Sequence, residues 1–171
     1  GSSQGIGVTV VNNQELNCIE VVHVNSQSPA EKAGLKIGDL ITHVGTGDKK
    51  QSVADLGYDR AMNMLGGESG TFAEFTVKRG EKLHDFKIER KAFTVDSVLH
   101  HVYAAEPSVG IVKITEFNLT TRKHFCQAMD ALIQAGCSKF VFDVRNNPGG
   151  DLRSIGAVLS YMLNNGDVFI R

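Results

Sequence analysis

An apolar strand that runs directly into a glycine-rich turn is the feature of this sequence that most constrains its fold. Residues 139–144 are largely apolar, residues 145–151 read RNNPGGD, and an amphipathic pattern typical of a helix begins at Leu152. The first backbone N–H groups of a helix have no partner inside the helix, so this turn favours bound negative charge. The sequence therefore predicts a strand–turn–helix unit with a ligand site at the turn. We call the turn, residues 146–150, the elbow.

Two adjacent glycines, Gly149 and Gly150, give the elbow its chemical interest. Without Cβ atoms they would let a substrate carbonyl approach the backbone, and two aimed N–H groups could stabilise an oxyanion. A turn that needs glycine only for its conformation explains the same residues, and both interpretations stay open from spacing alone. A phosphate loop is disfavoured because the sequence contains neither GKS, GKT nor GxGxxG.

Composition excludes several classes of function. A net charge of −1 over 171 residues gives no reason to expect nucleic acid or an anionic membrane as a partner. No apolar run approaches the roughly 18 residues of a membrane span, and the N-terminal residues have no signal-peptide pattern. The three cysteines have no CxxC spacing and are interpreted as free thiols, and no histidine pair has helical i, i+4 spacing, so we predict neither a metal site nor a cofactor.

The first half reads as short strands and turns around two helices, and the second half as alternating strands and helices. The predicted strands are 7–11, 18–24, 40–44, 71–78, 83–89, 109–114, 140–144 and 168–170, and the predicted helices are 28–34, 56–65, 120–135 and 152–163. Strands alternating with helices indicate βαβ units on a parallel sheet. We predict a mixed α+β and α/β chain whose domains are residues 1–92 and 93–171.

A second candidate site lies at the start of the chain. Gly5-Ile6-Gly7-Val8 precedes a strand, and a tight glycine loop before an unpaired strand edge can capture a peptide carboxylate through its N–H groups. The peptide then adds to the sheet as an extra strand. The same half of the chain contains a helix with Ala61, Met62 and Leu65 on one face. An ordinary β-turn explains the glycines equally well.

The order of five motifs makes the sequence specific. They are GIGV at 5–8, SPAEKAGLKIGDLI at 28–41, TVKRG at 76–80, VGIVKITEF at 109–117 and FDVRNNPGGDL at 142–152. The first three resemble a bacterial PDZ domain, and the whole succession is similar to the carboxyl-terminal processing peptidases of serine peptidase family S41. The resemblance implies a PDZ-like, β-barrel-type domain with two helices, followed by a partial βαβαβ catalytic core.

The same resemblance implies an endopeptidase that uses a serine nucleophile and a lysine base. Ile6, Gly7 and Val8 would offer N–H groups to the C-terminal carboxylate of a protein or peptide, with Ala61, Met62 and Leu65 beside it. Gly149 and Gly150 would supply part of the oxyanion hole. Peptidases of this family usually work in the cell envelope or periplasm, which gives the expected localisation.

One departure from the family pattern concerns the nucleophile and the base. In the family both lie well downstream of the signature that ends at Leu152, whereas 21 residues follow Gly150 here, and no lysine follows Ser154 or Ser160. We therefore expect the chain to be a fragment that is inactive by itself. The alternative function is a non-catalytic PDZ-type adaptor that binds protein C-termini. An incomplete sheet would leave an exposed edge, so we count a homodimer among the expected partners.

Three charged residues are interpreted as structural or solvent-exposed rather than catalytic. Asp143 and Asp151 flank the elbow, and Asp143 and Arg145 are expected to hold it by hydrogen bonds. Arg79, which precedes a hairpin glycine, is interpreted as part of a solvated hairpin tip.

Overall fold

The chain folds into two compact units, Gly1–Val95 and Asp96–Arg171. The computed structural model describes residues 2–164, so the predicted strand at 168–170 lies outside the described residues. No helix in this described part is both long and apolar enough to cross a membrane. The predicted boundary between residues 92 and 93 lies three residues before the division between the units and stays a prediction.

The first unit contains eight strands and three α-helices. In chain order these are β1 Ser2–Gly5, β2 Val8–Asn13, β3 Cys18–Val24, α1 Pro29–Lys32, β4 Leu40–Val44, β5 Gln51–Ser52, α2 Val53–Leu56, α3 Tyr58–Leu65, β6 Phe72–Arg79, β7 Lys82–Glu89 and β8 Lys91–Thr94. Strands β2, β3, β4, β6 and β7 follow one another across a sheet in that order, with β5 paired to β4. Since β2 and β7 are its two edges, the sheet is open, and β1 and β8 form a separate antiparallel pair.

The second unit is built on a three-stranded sheet. Its elements are β9 Val98–Val102, β10 Val109–Ile114, α4 Thr121–Gln134, β11 Lys139–Asp143 and α5 Leu152–Asn164. Strand β10 pairs in parallel with β11, with α4 between them in sequence, which is the predicted βαβ unit. On its other side β10 pairs antiparallel with β9, which the sequence analysis did not predict. The mixed α and β fold is thus confirmed.

Each unit has its own apolar core. Ile19, Val21, Ile41 and Val77 are fully buried in the first core, where Phe75 also stacks on Phe86. The second core is built around Val112, Ile114, Phe125 and Leu132. Each such side chain stabilises the fold by roughly 1.5–3 kcal/mol relative to its exposed state.

The predicted helix over 56–65 is α3, which begins two residues later, and the short helix α2 precedes it. Ser52 caps α2 by accepting a hydrogen bond from the Asp55 N–H at 3.1 Å. Gly57 then takes a φ of +83°, which ends α2 and lets α3 begin at Tyr58. Arg90, itself buried, donates to the Leu65 carbonyl at 2.8 Å and so satisfies the C-terminal end of α3.

Arg79 is not a solvated hairpin tip, so this interpretation was wrong. Its Nε and Nη2 donate to the two carboxylate oxygens of buried Asp39 at 2.7 and 2.6 Å, and Nη2 also donates to the Gly34 carbonyl. Burial by itself raises the pKa of Asp39, but the hydrogen bonds from Arg79 and from the Lys36 N–H outweigh it and hold that pKa below its ordinary value. Arg79 thereby fastens β6 to the turn before β4.

We predict that Arg79→Met destabilises the first unit by about 3 kcal/mol, because it leaves the buried Asp39 carboxylate without its partner. The loss is largest at neutral pH. Because the folded pKa of Asp39 lies below its unfolded value of about 3.9, the pair stabilises the fold fully above that pH and loses its effect as pH falls through the folded pKa. Urea unfolding at pH 7 and at progressively acid pH measures both effects.

The matched control for this experiment is Lys50→Met. Lys50 contacts Asp85 at 3.1 Å, but the Asp85 side chain is 74% exposed, so this change is expected to cost less than about 1 kcal/mol. Equal losses for the two variants would contradict the special role of the buried pair.

Candidate peptide-binding groove and elbow

The loop between β1 and β2 can be built only with glycine at position 7. Gly7 has a φ of +90°, and a Cβ atom at this residue would lie 2.2 Å from the Cβ of buried Ser28. The ring of Phe93, on β8, covers the same position at 3.4 Å. The loop is therefore packed tightly on one side, and its backbone conformation requires glycine at position 7.

The two carbonyls of this loop are held by hydrogen bonds from neighbouring elements. The Ile6 carbonyl accepts from the N–H of Ala30 at 2.8 Å, and the Gly7 carbonyl accepts from the backbone N–H and the side-chain Nδ2 of Asn25 at 2.8 and 3.1 Å. In a trans peptide unit the carbonyl and the next N–H point in opposite directions. The N–H groups of Gly7 and Val8 therefore face away from Ala30 and Asn25.

The Val8 N–H points to the outer edge of β2. Val8 lies opposite Val24, and the bond from the Asn25 N–H to the Gly7 carbonyl marks this pair as one without direct hydrogen bonds between its members. Within residues 2–164, no group accepts a hydrogen bond from the N–H of Ile6 or of Gly7. Because β2 is an edge of the six-stranded sheet, an extended peptide can pair with it.

Helix α3 contributes apolar side chains to the core that Val8 also contacts. Met62 and Leu65 are half-buried and pack against the same core as Val8. Ala61 is fully buried in the core, and its predicted place in the groove stays a prediction. Tyr58 was missed, although the spacing of Tyr58, Met62 and Leu65 at i, i+4 and i+7 is the signal of one helix face.

In the second unit, Asn147 ties the elbow to the sheet. Its Nδ2 donates to the Ile114 carbonyl at 2.9 Å, and its Oδ1 accepts from the N–H of Gly149 at 2.7 Å. Asn146 just before it has a φ of +61°, so the chain reverses sharply after β11. Because Asn147 occupies the Gly149 N–H, this predicted oxyanion donor is already engaged in the structure.

Of the two elbow glycines, Gly150 is the one whose N–H group is not engaged by another described residue. The Phe117 N–H donates to the Gly149 carbonyl at 2.9 Å, and the Asp151 N–H donates to the Phe117 carbonyl at 2.7 Å. Because the Gly149 carbonyl points to Phe117, the Gly150 N–H points the opposite way. No acceptor for it lies in the described part of the chain. A Cβ atom at Gly150 would lie 2.0 Å from the Phe117 oxygen, so this approach admits glycine alone.

The charged residues around the elbow fix its shape. Arg145 donates from Nε and Nη2 to the two oxygens of Asp143 at 3.0 and 2.8 Å, and also from its backbone N–H at 3.0 Å. These hydrogen bonds lower the pKa of Asp143 to about 2. Asp143 is therefore an anion at neutral pH and a poor proton donor or acceptor, in agreement with a structural role.

The serine nearest the elbow is structural. Ser154 is 5% exposed and donates from Oγ to the Asn118 carbonyl, and its N–H donates to Asp151 at 2.8 Å at the start of α5. A nucleophile needs a nearby base and access to substrate.

An apolar cavity of about 300 Å³ opens beside the elbow. Its lining residues are Ile114, Phe117, Phe142, Val144, Asn147, Gly149, Ile155, Val158, Leu159 and Met162.

Cys18 and Cys137 are buried, Cys126 is half-buried, and all three are free thiols. Among the residues that the structure describes, no group of three or more His, Cys, Asp or Glu side chains is placed to hold a metal ion.

Comparison with known proteins gives these arrangements a family. Residues 4–89 match the PDZ domain family, and residues 108–171 match peptidase family S41. The carboxy-terminal processing protease CtpA of Bacillus subtilis is 32% identical over 150 residues, which cover 87% of this chain and 30% of that protein. A probable CtpA-like serine protease of Staphylococcus epidermidis is 30% identical over 171 residues, which cover all of this chain and 33% of the relative.

A solved structure titled photosystem II D1 C-terminal processing protease is 27% identical and matches with a TM-score of 0.45, covering 91% of this chain and 43% of that one. The chain thus spans about a third of the length of the curated relatives it matches. The motif order, the PDZ match and the S41 match agree with one another. The chain belongs to the carboxyl-terminal processing peptidases of serine peptidase family S41 and carries a PDZ domain in its first half.

Proposed function

We propose that the first unit binds the C-terminal end of a protein or peptide. The observation that carries this proposal is the loop in which the Ile6 and Gly7 carbonyls are held from behind, so that the Gly7 and Val8 N–H groups face outward. Backbone N–H groups arranged in this way attract a carboxylate. The bound peptide extends from there along the β2 edge and pairs with it as an added strand.

The side chain of the C-terminal residue would lie against the half-buried face formed by Tyr58, Met62 and Leu65. This face is apolar, and burial of an apolar side chain there adds to the binding free energy. An apolar C-terminal residue is therefore the preferred ligand of the groove.

For the whole protein, we propose a serine endopeptidase that processes protein C-termini. The Gly150 N–H would donate one hydrogen bond to the oxyanion that forms when a peptide carbonyl is attacked. The family match of residues 108–171 supports this role for the elbow. The nucleophilic serine and the lysine base are proposed to follow Arg171 in the complete protein.

The first prediction concerns carboxylate capture. A synthetic peptide with a free, apolar C-terminal residue is expected to bind at least about tenfold more tightly than the same peptide with a C-terminal amide. Charge-assisted hydrogen bonds contribute about 1.5–3 kcal/mol each, and about 1.4 kcal/mol is tenfold in affinity. Isothermal titration calorimetry with both peptides measures the ratio, and equal affinities would rule out capture by this loop.

The second prediction concerns the groove wall. Met62→Lys is expected to weaken binding of the free-acid peptide by about tenfold, because it replaces an apolar wall residue with a charge. Met64→Lys is the matched control, since Met64 lies on the same helix but is 41% exposed. Fluorescence anisotropy with a labelled peptide compares the two variants, and similar losses in both would argue against a groove at Met62.

The third prediction concerns catalysis. The purified 171-residue chain is expected to leave an unfolded protein substrate intact, because Ser154 is buried and no lysine follows Ser154 or Ser160 in this sequence. A gel-based cleavage assay with and without a serine-protease inhibitor checks this. Inhibitor-sensitive cleavage that disappears in Ser160→Ala would show that the nucleophile lies within the chain.

The coding sequence after residue 171 separates the two candidate functions. A serine within a run of small residues, followed about one helix later by a lysine, decides for the peptidase. Its absence would instead favour a PDZ-type adaptor that binds C-termini without hydrolysing them.

A further inference from the structure

Asn25 is a buried polar residue that contacts the loop at residues 5–8, on the side opposite the N–H groups proposed to bind the peptide carboxylate. It directly follows β3, its residue is 3% exposed, and both its backbone N–H and its Nδ2 donate to the Gly7 carbonyl. We propose that the Asn25 side chain is a positioning residue that aims the Val8 N–H at the peptide carboxylate. This inference rests on the proposed function of the first unit as a C-terminus-binding domain.

A single peptide unit joins Gly7 to Val8. Its carbonyl and its N–H point in opposite directions because the unit is planar and trans. Whatever fixes the direction of the Gly7 carbonyl therefore fixes the direction of the Val8 N–H as well. Asn25 acts on the first of these groups.

Two hydrogen bonds restrain the orientation of the Gly7 carbonyl more strongly than one hydrogen bond would. A carbonyl oxygen has two lone pairs, and at Gly7 each meets one donor of Asn25, at 2.8 and 3.1 Å. Gly7 has no side chain, and glycine is the residue with the greatest backbone freedom. If the Asn25 N–H were the only donor, the peptide unit between Gly7 and Val8 could still rotate about the Cα atoms on either side of it. The hydrogen bond from Nδ2 restrains this rotation.

The consequence is an affinity gained by preorganisation. A loop whose N–H groups already point at the ligand loses less conformational entropy on binding. The Ile6 carbonyl is held by a single donor, the Ala30 N–H at the start of α1. That bond is made by the backbone, so side-chain substitutions leave it in place. Asn25 is thus the position at which a side-chain change tests the aim of the loop.

A purely structural asparagine would behave differently. If Asn25 served the fold alone, its loss would lower stability and weaken binding of any peptide by a similar factor. A positioning residue changes the preference for a free carboxylate over an amide. The ratio of the two dissociation constants is therefore the measurement that separates the roles.

The test uses the full 171-residue chain and one pair of synthetic peptides that differ only in a free or amidated C-terminus. Asn25→Ala and the uncharged, near-isosteric Asn25→Leu both remove the Nδ2 donor. Each is expected to reduce the ratio of amide to free-acid dissociation constants at least threefold relative to the unsubstituted chain, with the amide peptide's own dissociation constant changed less than twofold. Asn13→Ala is the matched control, because Asn13 accepts a hydrogen bond from the Leu16 N–H at 3.0 Å in a hairpin turn.

Each outcome decides between the roles. A folded Asn25 variant that keeps the original ratio overturns the proposal. If both Asn25 variants fail to fold while Asn13→Ala folds, the proposal is also overturned, since Asn25 then supports the fold rather than the aim of the loop. If the unsubstituted chain itself shows no preference for the free acid, the proposed function fails first, and the role of Asn25 falls with it.

Discussion

Both candidate sites depend on one constraint: a backbone carbonyl is held from behind, so the next N–H along the chain must face forward. In the first unit Ala30 and Asn25 hold the carbonyls of Ile6 and Gly7. In the second unit the Phe117 N–H holds the carbonyl of Gly149, which turns the Gly150 N–H outward. The planarity of the peptide unit converts a structural hydrogen bond on one side into a binding group on the other.

The same constraint explains why both motifs contain glycine. At Gly7 a Cβ atom would collide with Ser28, and at Gly150 it would collide with the Phe117 carbonyl. Both residues also have positive φ, at +90° and +139°, where other residues are strained. Close support from behind is possible because these positions lack side chains. The glycines therefore serve the sites indirectly, by letting the supporting element approach.

This also sets how far the sequence could predict the sites. Glycine-rich loops beside apolar strands were visible in the sequence, and so were the strand that follows Gly7 and the helix that follows Gly150. Which glycine N–H is available was not predicted, although Asn147 lies two residues before Gly149, the spacing of an Asx turn in which the side-chain oxygen accepts that N–H. The partner of Arg79 was missed because Asp39 lies forty residues away in sequence and meets it only through the sheet.

Helix α3 shows a second limit of sequence patterns. Ala61, Met62 and Leu65 lie on one apolar face of the helix. Periodicity identifies this face, but it does not tell which of its residues lie in the core and which line a groove. The structure buries Ala61 fully and leaves Met62 and Leu65 half-buried. Short elements such as β9 and the β1–β8 pair were likewise missed, because strands of four or five residues with mixed polarity carry little periodic signal.

The two sites differ in what they can achieve with the groups described. Carboxylate capture needs outward N–H groups, a strand edge and an apolar wall, and the first unit contains all three. Oxyanion stabilisation is useful only once a nucleophile attacks, and a single well-placed donor contributes about 2.7–4 kcal/mol to that step. The Gly150 N–H is proposed as such a donor, but Ser154, the serine beside it in the described part of the chain, is buried against Asn118. Recognition can therefore be studied in this chain independently of hydrolysis, and a change at Asn25 should affect the former alone.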